Sequence, residues 1–153
     1  MTIEDDIAFF ERVPTLSMLG RPALRILAIG AESRYVHSGE VLFTAGDVAD
    51  SAFIVQEGAF SLTAQQAEGD DSVVVGRGTL LGELALLTET VRPVTATAKE
   101  PSTVLRVPRT LFLKMLEGYP EAAKKLRDVI ATRAEQSTRE IYGVRNTLDG
   151  RRY

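Results

Sequence analysis

Gly82-Glu83-Leu84-Ala85-Leu86-Leu87-Thr88-Glu89-Thr90-Val91-Arg92-Pro93-Val94-Thr95-Ala96-Thr97 is the stretch around which the rest of the chain is organised. A glycine opens a short apolar turn, an acid follows it directly, and a lone arginine stands later between a loop and a β-branched run. The N–H groups at the start of such a turn, from Glu83 to Leu86, point along its axis and favour an anion. Gly82 allows close approach of the backbone, and the planar fork of Arg92 suits the same anion. The Glu83 carboxylate accepts hydrogen bonds and does not donate them, so it suits a sugar hydroxyl better than a phosphate. One acid and one base thus divide a nucleotide between them.

This segment resembles the phosphate-binding cassette of the cyclic nucleotide-binding domain family, written Gly-Glu-x-Ala-Leu, a variable stretch, Arg, two small residues and Thr or an equivalent. Gly82, Glu83, Ala85, Leu86, Arg92, Val94 and Thr95 carry the match, with Leu84 in the variable position. The resemblance implies that Glu83 takes the ribose 2′-hydroxyl and that Arg92 and the Ala85 N–H take the cyclic phosphate. Pro93 departs from the pattern. The residue after the arginine usually offers a backbone N–H, often with a hydroxyl beside it, and proline has none. One lost hydrogen bond to a charged group weakens binding by roughly 1.5–3 kcal/mol, about ten- to a hundredfold. In the family a Thr there accompanies cGMP preference, so Pro93 tilts the expected ligand toward cAMP, with cGMP the second choice. A pocket too degenerate to bind, leaving a ligand-free dimerisation or scaffold module, is the alternative.

The region from Arg34 to Val107 has the texture of short strands: β-branched and aromatic runs separated by turns at Gly39-Glu40, Gly46-Asp47, Glu57-Gly58, 68–71 and Gly76-Arg77-Gly78. The fold expected is mainly β with flanking helices. It is an antiparallel β-roll or jelly roll (double-stranded β-helix) over 34–107, with a helical preface over 1–33 and C-terminal helices over 108–153, all one domain. Tyr35 to Asp47, with its two Gly-acid turns, is a second match to the family. In the preface, Thr2 and Asp5 form a capping pair ahead of Ile3, Ile7 and Phe10 on one helical face. Arg21-Pro22 starts a second helix that Gly30 stops. Pro108 ends the strands, and a helix from Arg109 to Glu117 carries Leu111, Phe112, Met115 and Leu116 on its apolar face, with Gly118 as its stop.

Pro120 opens the last helix, where Leu126, Ile130, Ala134, Ser137, Ile141, Val144 and Leu148 recur every three or four residues. This seam fits a homodimer contact, with packing onto its own domain as the competing account. In the bacterial catabolite-activator-like branch of the family, adjacent hydroxyl residues of this helix reach the purine. Ser137 and Thr138 lie at a comparable place. That branch hinges into a helix-turn-helix about where 149–153 stands. The chain therefore reads as a free-standing module, as a sensor without its output domain, or as a protein acting through partners.

Composition bounds the chemistry. The chain has 153 residues, 44% hydrophobic and 25% charged, and a net charge of -3, so no global basic field draws it to DNA. With no cysteine, disulfides, thiol catalysis, iron–sulfur clusters and cysteine zinc sites are excluded. The single histidine, His37, reads as a turn residue and cannot alone build a metal centre of the cupin kind. Asp47 and Asp50 lack the further oxygen ligands of a calcium loop. Arg77 stands where it could lean over the pocket mouth. No Ser-His-Asp arrangement, metal set, cofactor motif, signal peptide or membrane span is visible. The sequence is expected to be a cytoplasmic, non-enzymatic cyclic-nucleotide sensor with no membrane or DNA contact of its own.

Overall fold

The computed structural model describes residues 2–64 and 72–143, of which 130 and 133–143 are described as backbone alone. Three elements form the preface: α1 (Ile3–Phe10), a single 3-10 turn (Ser17–Leu19) and α2 (Arg21–Gly30). The capping pair closes in both directions. Asp5 N–H donates to Thr2 Oγ1 and Thr2 N–H to Asp5 Oδ2, each at 3.1 Å. Ile7, Phe9 and Phe10 then point inward, while Ile3 stays at the edge.

The strands follow in order: β1 (Glu32–Val36), β2 (Val41–Phe43), β3 (Val48–Ala49), β4 (Ser51–Glu57), β5 (Ala59–Ala64), β6 (Ser72–Gly76), β7 (Leu80–Leu81), β8 (Thr90–Val91), β9 (Val94–Ala98) and β10 (Ser102–Pro108). They pair antiparallel throughout. One sheet has the order β1-β10-β4-β7, a second β2-β9-β5-β6, and β3 pairs with β8 as a two-stranded sheet of its own. The segment between β7 and β8 holds a second 3-10 turn, Glu83–Leu86. The fold is the expected one: antiparallel β-sheets with four flanking helices among the described residues.

β4 explains how the layers are joined. It is buried on both faces: Phe53 and Val55 face the interior of the roll, while Ala52 and Ile54 face the helices. β10 does the same, with Val104 toward the roll and Leu105 and Val107 toward the helices. Two apolar clusters therefore lie back to back across one sheet. The roll cluster contains Val36, Phe43, Phe53, Phe60, Leu62 and Ala96. The helix cluster joins α1 and α2 to α3 (Arg109–Gly118) and to the start of α4 (Pro120–Gly143), through residues such as Phe10, Leu24, Leu27, Phe112, Met115 and Leu126.

The two glycines expected as helix stops do end their helices, without a left-handed turn. Gly30 and Gly118 are the last residues of α2 and α3, and neither has a positive φ. Gly30 instead permits close packing of two helices, since a Cβ there would stand 2.6 Å from Leu111 Cδ1 of α3. Of the expected seam on α4, Leu126 is fully buried in the helix cluster. The side chains of Ile130, Ala134, Ser137 and Ile141, and Val144 and Leu148 altogether, lie outside the described residues.

Candidate functional site

Gly82 adopts φ +80, the left-handed region where a side chain is strained, and so turns the chain sharply out of β7. A Cβ at Gly82 would collide with Arg92 Nη1 and lie 3.4 Å from the Ser51 carbonyl oxygen. The glycine is therefore required twice, for the backbone conformation and for the space the guanidinium occupies.

Arg92 is held there by its main chain and by aromatic rings. Its N–H donates to the Asp47 carbonyl and its carbonyl accepts from Gly46 N–H, both at 2.8 Å, which fixes it to the turn after β2. Its guanidinium carbon lies 4.5 Å from the Phe43 ring centroid and 5.4 Å from that of Phe53, two rings that are themselves stacked. Only 5% of Arg92 is exposed. Nη2 donates to Ser51 Oγ in a long bond of 3.4 Å. Nη1 is the one buried side-chain nitrogen or oxygen, among the described residues, with no hydrogen-bond partner. Burial pulls the Arg92 pKa down; Asp50 opposes this, Arg106 adds to it and Asp47 opposes it. An arginine nevertheless keeps its proton. The result is a desolvated cation with an unused donor beside Gly82, which is the chemistry of an anion site.

The rest of the cassette differs from the sequence expectation in its hydrogen bonding. The turn Glu83–Leu86 is a 3-10 turn of four residues, too short for a large dipole. The Ala85 N–H, expected to serve an anion, donates to the Gly82 carbonyl at 3.0 Å and closes that turn. Attraction for an anion therefore rests on Arg92. The Glu83 carboxylate stands half-buried, and its Oε2 accepts from the Thr15 hydroxyl at 2.9 Å. Thr15 is itself buried and lies just before the Ser17–Leu19 turn. Leu84 packs against the helix cluster. Pro93 is exposed between β8 and β9, and Val94 opens β9 half-buried. The Thr95 hydroxyl accepts from Ala45 N–H at 2.9 Å, tying the turn after β2 to β9.

Gly82 and Arg92 are thus brought together, with Glu83, Ala85, Pro93, Val94 and Thr95 next to them along the chain and Leu84 turned to the helix cluster. Ser137 and Thr138 are on the backbone of α4, and their side chains lie outside the described residues. Arg77 does not lean over this site: its guanidinium lies 4.8 Å from the Phe9 ring centroid of α1. His37 is a turn residue, edge-on to Tyr35, with its N–H on Glu40 Oε1 at 2.9 Å. Among the described residues no group of three His, Cys, Asp or Glu could hold a metal, and no helix is long and apolar enough to cross a membrane. Sequence reasoning missed Ser51, Thr15 and the Phe43–Phe53 pair. Only Phe43 had a signal, since it lies within the Tyr35 to Asp47 match.

Residues 33–119 match the family model of the cyclic nucleotide-binding domain. A cyclic nucleotide-binding-like protein from Brucella abortus has a similar structure, at 36% identity and a TM-score of 0.66, over 74% of this chain and 98% of that one. The N-terminal domain of a transcriptional regulator from Streptomyces coelicolor aligns at 26% identity and a TM-score of 0.74, over 87% and 94%. Among curated relatives, the lysophospholipase nte1 of Neurospora crassa is 35% identical over 100 residues, 64% of this chain; the aligned part spans 7% of the relative's length. A cassette whose arginine fills the space left by its glycine, on a roll of this topology and with these relatives, places the chain in the cyclic nucleotide-binding domain family.

Proposed function

We infer that this chain is a regulatory module that binds a purine cyclic nucleotide, cAMP in preference to cGMP, and responds by shifting the position of α4. One observation carries the reading: Arg92 is buried, cationic, and has an unused Nη1 donor beside Gly82. An anionic ligand would complete that arrangement, since no acceptor among the described residues reaches Nη1. The cyclic phosphate would pair with Arg92, and the ribose 2′-hydroxyl would donate to Glu83, which is already oriented by Thr15. A carboxylate has lone pairs enough to accept from both.

Leu84, Ala85, Val94 and Thr95 would shape the walls, and Pro93 would withhold the N–H that a Thr at that place would supply to cGMP. Ser137 and Thr138 of α4 would reach the purine. A ligand touching both the roll and the helix binds best when the helix is docked, so it moves that equilibrium by its differential affinity. No bond is made or broken in this mechanism. The module needs no cofactor, DNA contact or membrane, and it would work in the cytoplasm as a homodimer through α4. The lysophospholipase and transcription-regulator relatives fit the same reading, in which such a module reports to another domain or partner.

Calorimetric titration of the protein with cAMP, cGMP and 5′-AMP tests it, with Arg92→Ala as control. Saturable heat with cAMP, weaker with cGMP and absent with 5′-AMP and with the variant, is the expected result. Pro93 favours one competing reading, a ligand-free interaction module. Absence of heat with every nucleotide, together with an unchanged melting temperature, would establish it instead.

A further inference from the structure

A second arginine, Arg106 of β10, stands close to the anion site without belonging to the cassette. In register it faces Glu32 of β1 on one side and, on the other, Phe53 of β4, the ring over which the Arg92 guanidinium lies. Its Nη1 donates to Glu32 Oε1 at 3.0 Å and its Nη2 to Asp50 Oδ1 at 3.4 Å. Asp50 directly precedes Ser51, whose buried hydroxyl accepts from Arg92 Nη2. The Asp50 pKa is lowered: burial opposes this, and the Ser51 hydroxyl and then Arg106 outweigh it. Burial acts first on the Arg92 pKa, and among charges that of Asp50 acts on it most. One carboxylate thus stands between two guanidinium groups. It is hydrogen-bonded to the more exposed of them, while Nη1 of the buried one is left without an acceptor.

We propose that Arg106 is a positioning residue of the anion site: it holds the Asp50 carboxylate away from Arg92 and so keeps Arg92 open to a phosphate. This rests on the nucleotide reading above. The Asp50 side chain is 71% exposed and its bond to Arg106 is long, so the pair is weak and the carboxylate changes partners at little cost. Without Arg106 it would turn toward Arg92, a desolvated cation with an unused donor and therefore the stronger partner. A phosphate would then have to displace an acid of the chain before it could bind.

The test is calorimetric titration of cAMP into wild type, Arg106→Gln, Arg106→Lys, Asp50→Asn and the double variant Arg106→Gln/Asp50→Asn. Arg106→Gln should lower the affinity about tenfold, within the range of coupling between charged groups in contact. Arg106→Lys keeps a cation for Asp50 and should stay within about threefold of wild type. Asp50→Asn removes the competing charge and should bind about threefold more tightly; adding Arg106→Gln to it should then cost about twofold or less. An equal loss from Arg106→Gln in both backgrounds shows that Arg106 attracts the phosphate by its own charge, and overturns the proposal. So does an Asp50→Asn variant that binds more weakly than wild type, which would make Asp50 a support of Arg92; that result does not depend on how the Arg106 variants fold. Wild type that binds no cAMP overturns the nucleotide reading, and this proposal with it.

Discussion

Arg92 is placed where it opposes folding in the absence of a ligand. Its guanidinium is out of water, its pKa is pulled down first by burial, and one of its nitrogens has no acceptor. Stacking on Phe43 and Phe53 returns part of that loss. Replacing buried charged groups by well-packed apolar side chains of similar volume is often neutral or stabilising by about 1–4 kcal/mol. Arg92→Met should therefore melt at or above the wild-type temperature without ligand, and should show no further rise with millimolar cAMP. A thermal melt in both conditions checks this, and a large loss of stability would mean that Arg92 is structural. Thr15 supports a second prediction. Thr15→Val removes the hydroxyl that orients Glu83, a charge-assisted bond of about 1.5–3 kcal/mol, much of which water can replace. Affinity for cAMP should fall several-fold while affinity for 2′-deoxy-cAMP changes little, a contrast read by competition titration. The cassette was legible because Gly82 and Arg92 are close in sequence and their spacing carries the geometry. Thr15 and Ser51 were not, because strand register and the docking of the preface bring them to Glu83 and Arg92. Nothing in a lone Thr or Ser announces such a partner.

At the scale of elements, the strands and helices were legible from alternation, turn glycines and apolar periodicity, and the Thr2–Asp5 capping pair formed in full. The stops at Gly30 and Gly118 were legible too, but not their geometry, because a glycine at a helix end reads the same whether it serves a left-handed turn or makes room for a neighbour. The α2–α3 contact at Gly30 tells them apart. In Gly30→Ala the new methyl meets the flexible end of Leu111, and the gain in helix propensity of up to about 1 kcal/mol offsets the crowding. Gly30→Val adds branched bulk at a packed contact and should destabilise by about 1–3 kcal/mol. Urea unfolding of the two variants separates packing from capping, since a capping role would make both equally harmful. On α1, Asp6 has its pKa raised, first by burial and then by the charge of Asp5. Folding thus favours its protonated form relative to the unfolded chain. The stability it contributes is complete below the ordinary carboxylate range and is lost as pH rises through the raised value. Asp6→Asn should accordingly gain a small amount over wild type at pH 7, about 0.5 kcal/mol or less, and no advantage near pH 3. Denaturant midpoints at the two pH values measure it.

For the molecule as a whole, the arrangement of two apolar clusters across one sheet decides what can move. β4 and β10 belong to both clusters, so the sheet they form is fixed from either side. The Glu83–Leu86 turn, by contrast, stands at the boundary, with Leu86 in the helix cluster and Gly82 against the arginine of the roll. On the proposed reading, motion at the site would reach the helical layer more readily than it would deform the roll. α4 is held to that layer near its start by Ala122, Ala123 and Leu126, and Ile130, Ala134, Ser137 and Ile141 follow on its backbone. The sequence gives those later positions an apolar seam at Ile130 and Ile141 that is interrupted by Ala134 and Ser137. A symmetric pair of such helices would bury the seam, and small residues at its centre would let the two backbones approach. The expected outcome is a concentration-dependent homodimer. Ile141→Glu should convert it to monomer, since two like charges would face each other across the dimer axis, and should leave the Arg92 site competent to bind cAMP. Sedimentation velocity on wild type and variant, with and without cAMP, checks both parts. A variant that sediments as wild type places the seam against its own chain. A monomeric variant that no longer binds makes the dimer part of the site, with α4 completing the pocket only when paired.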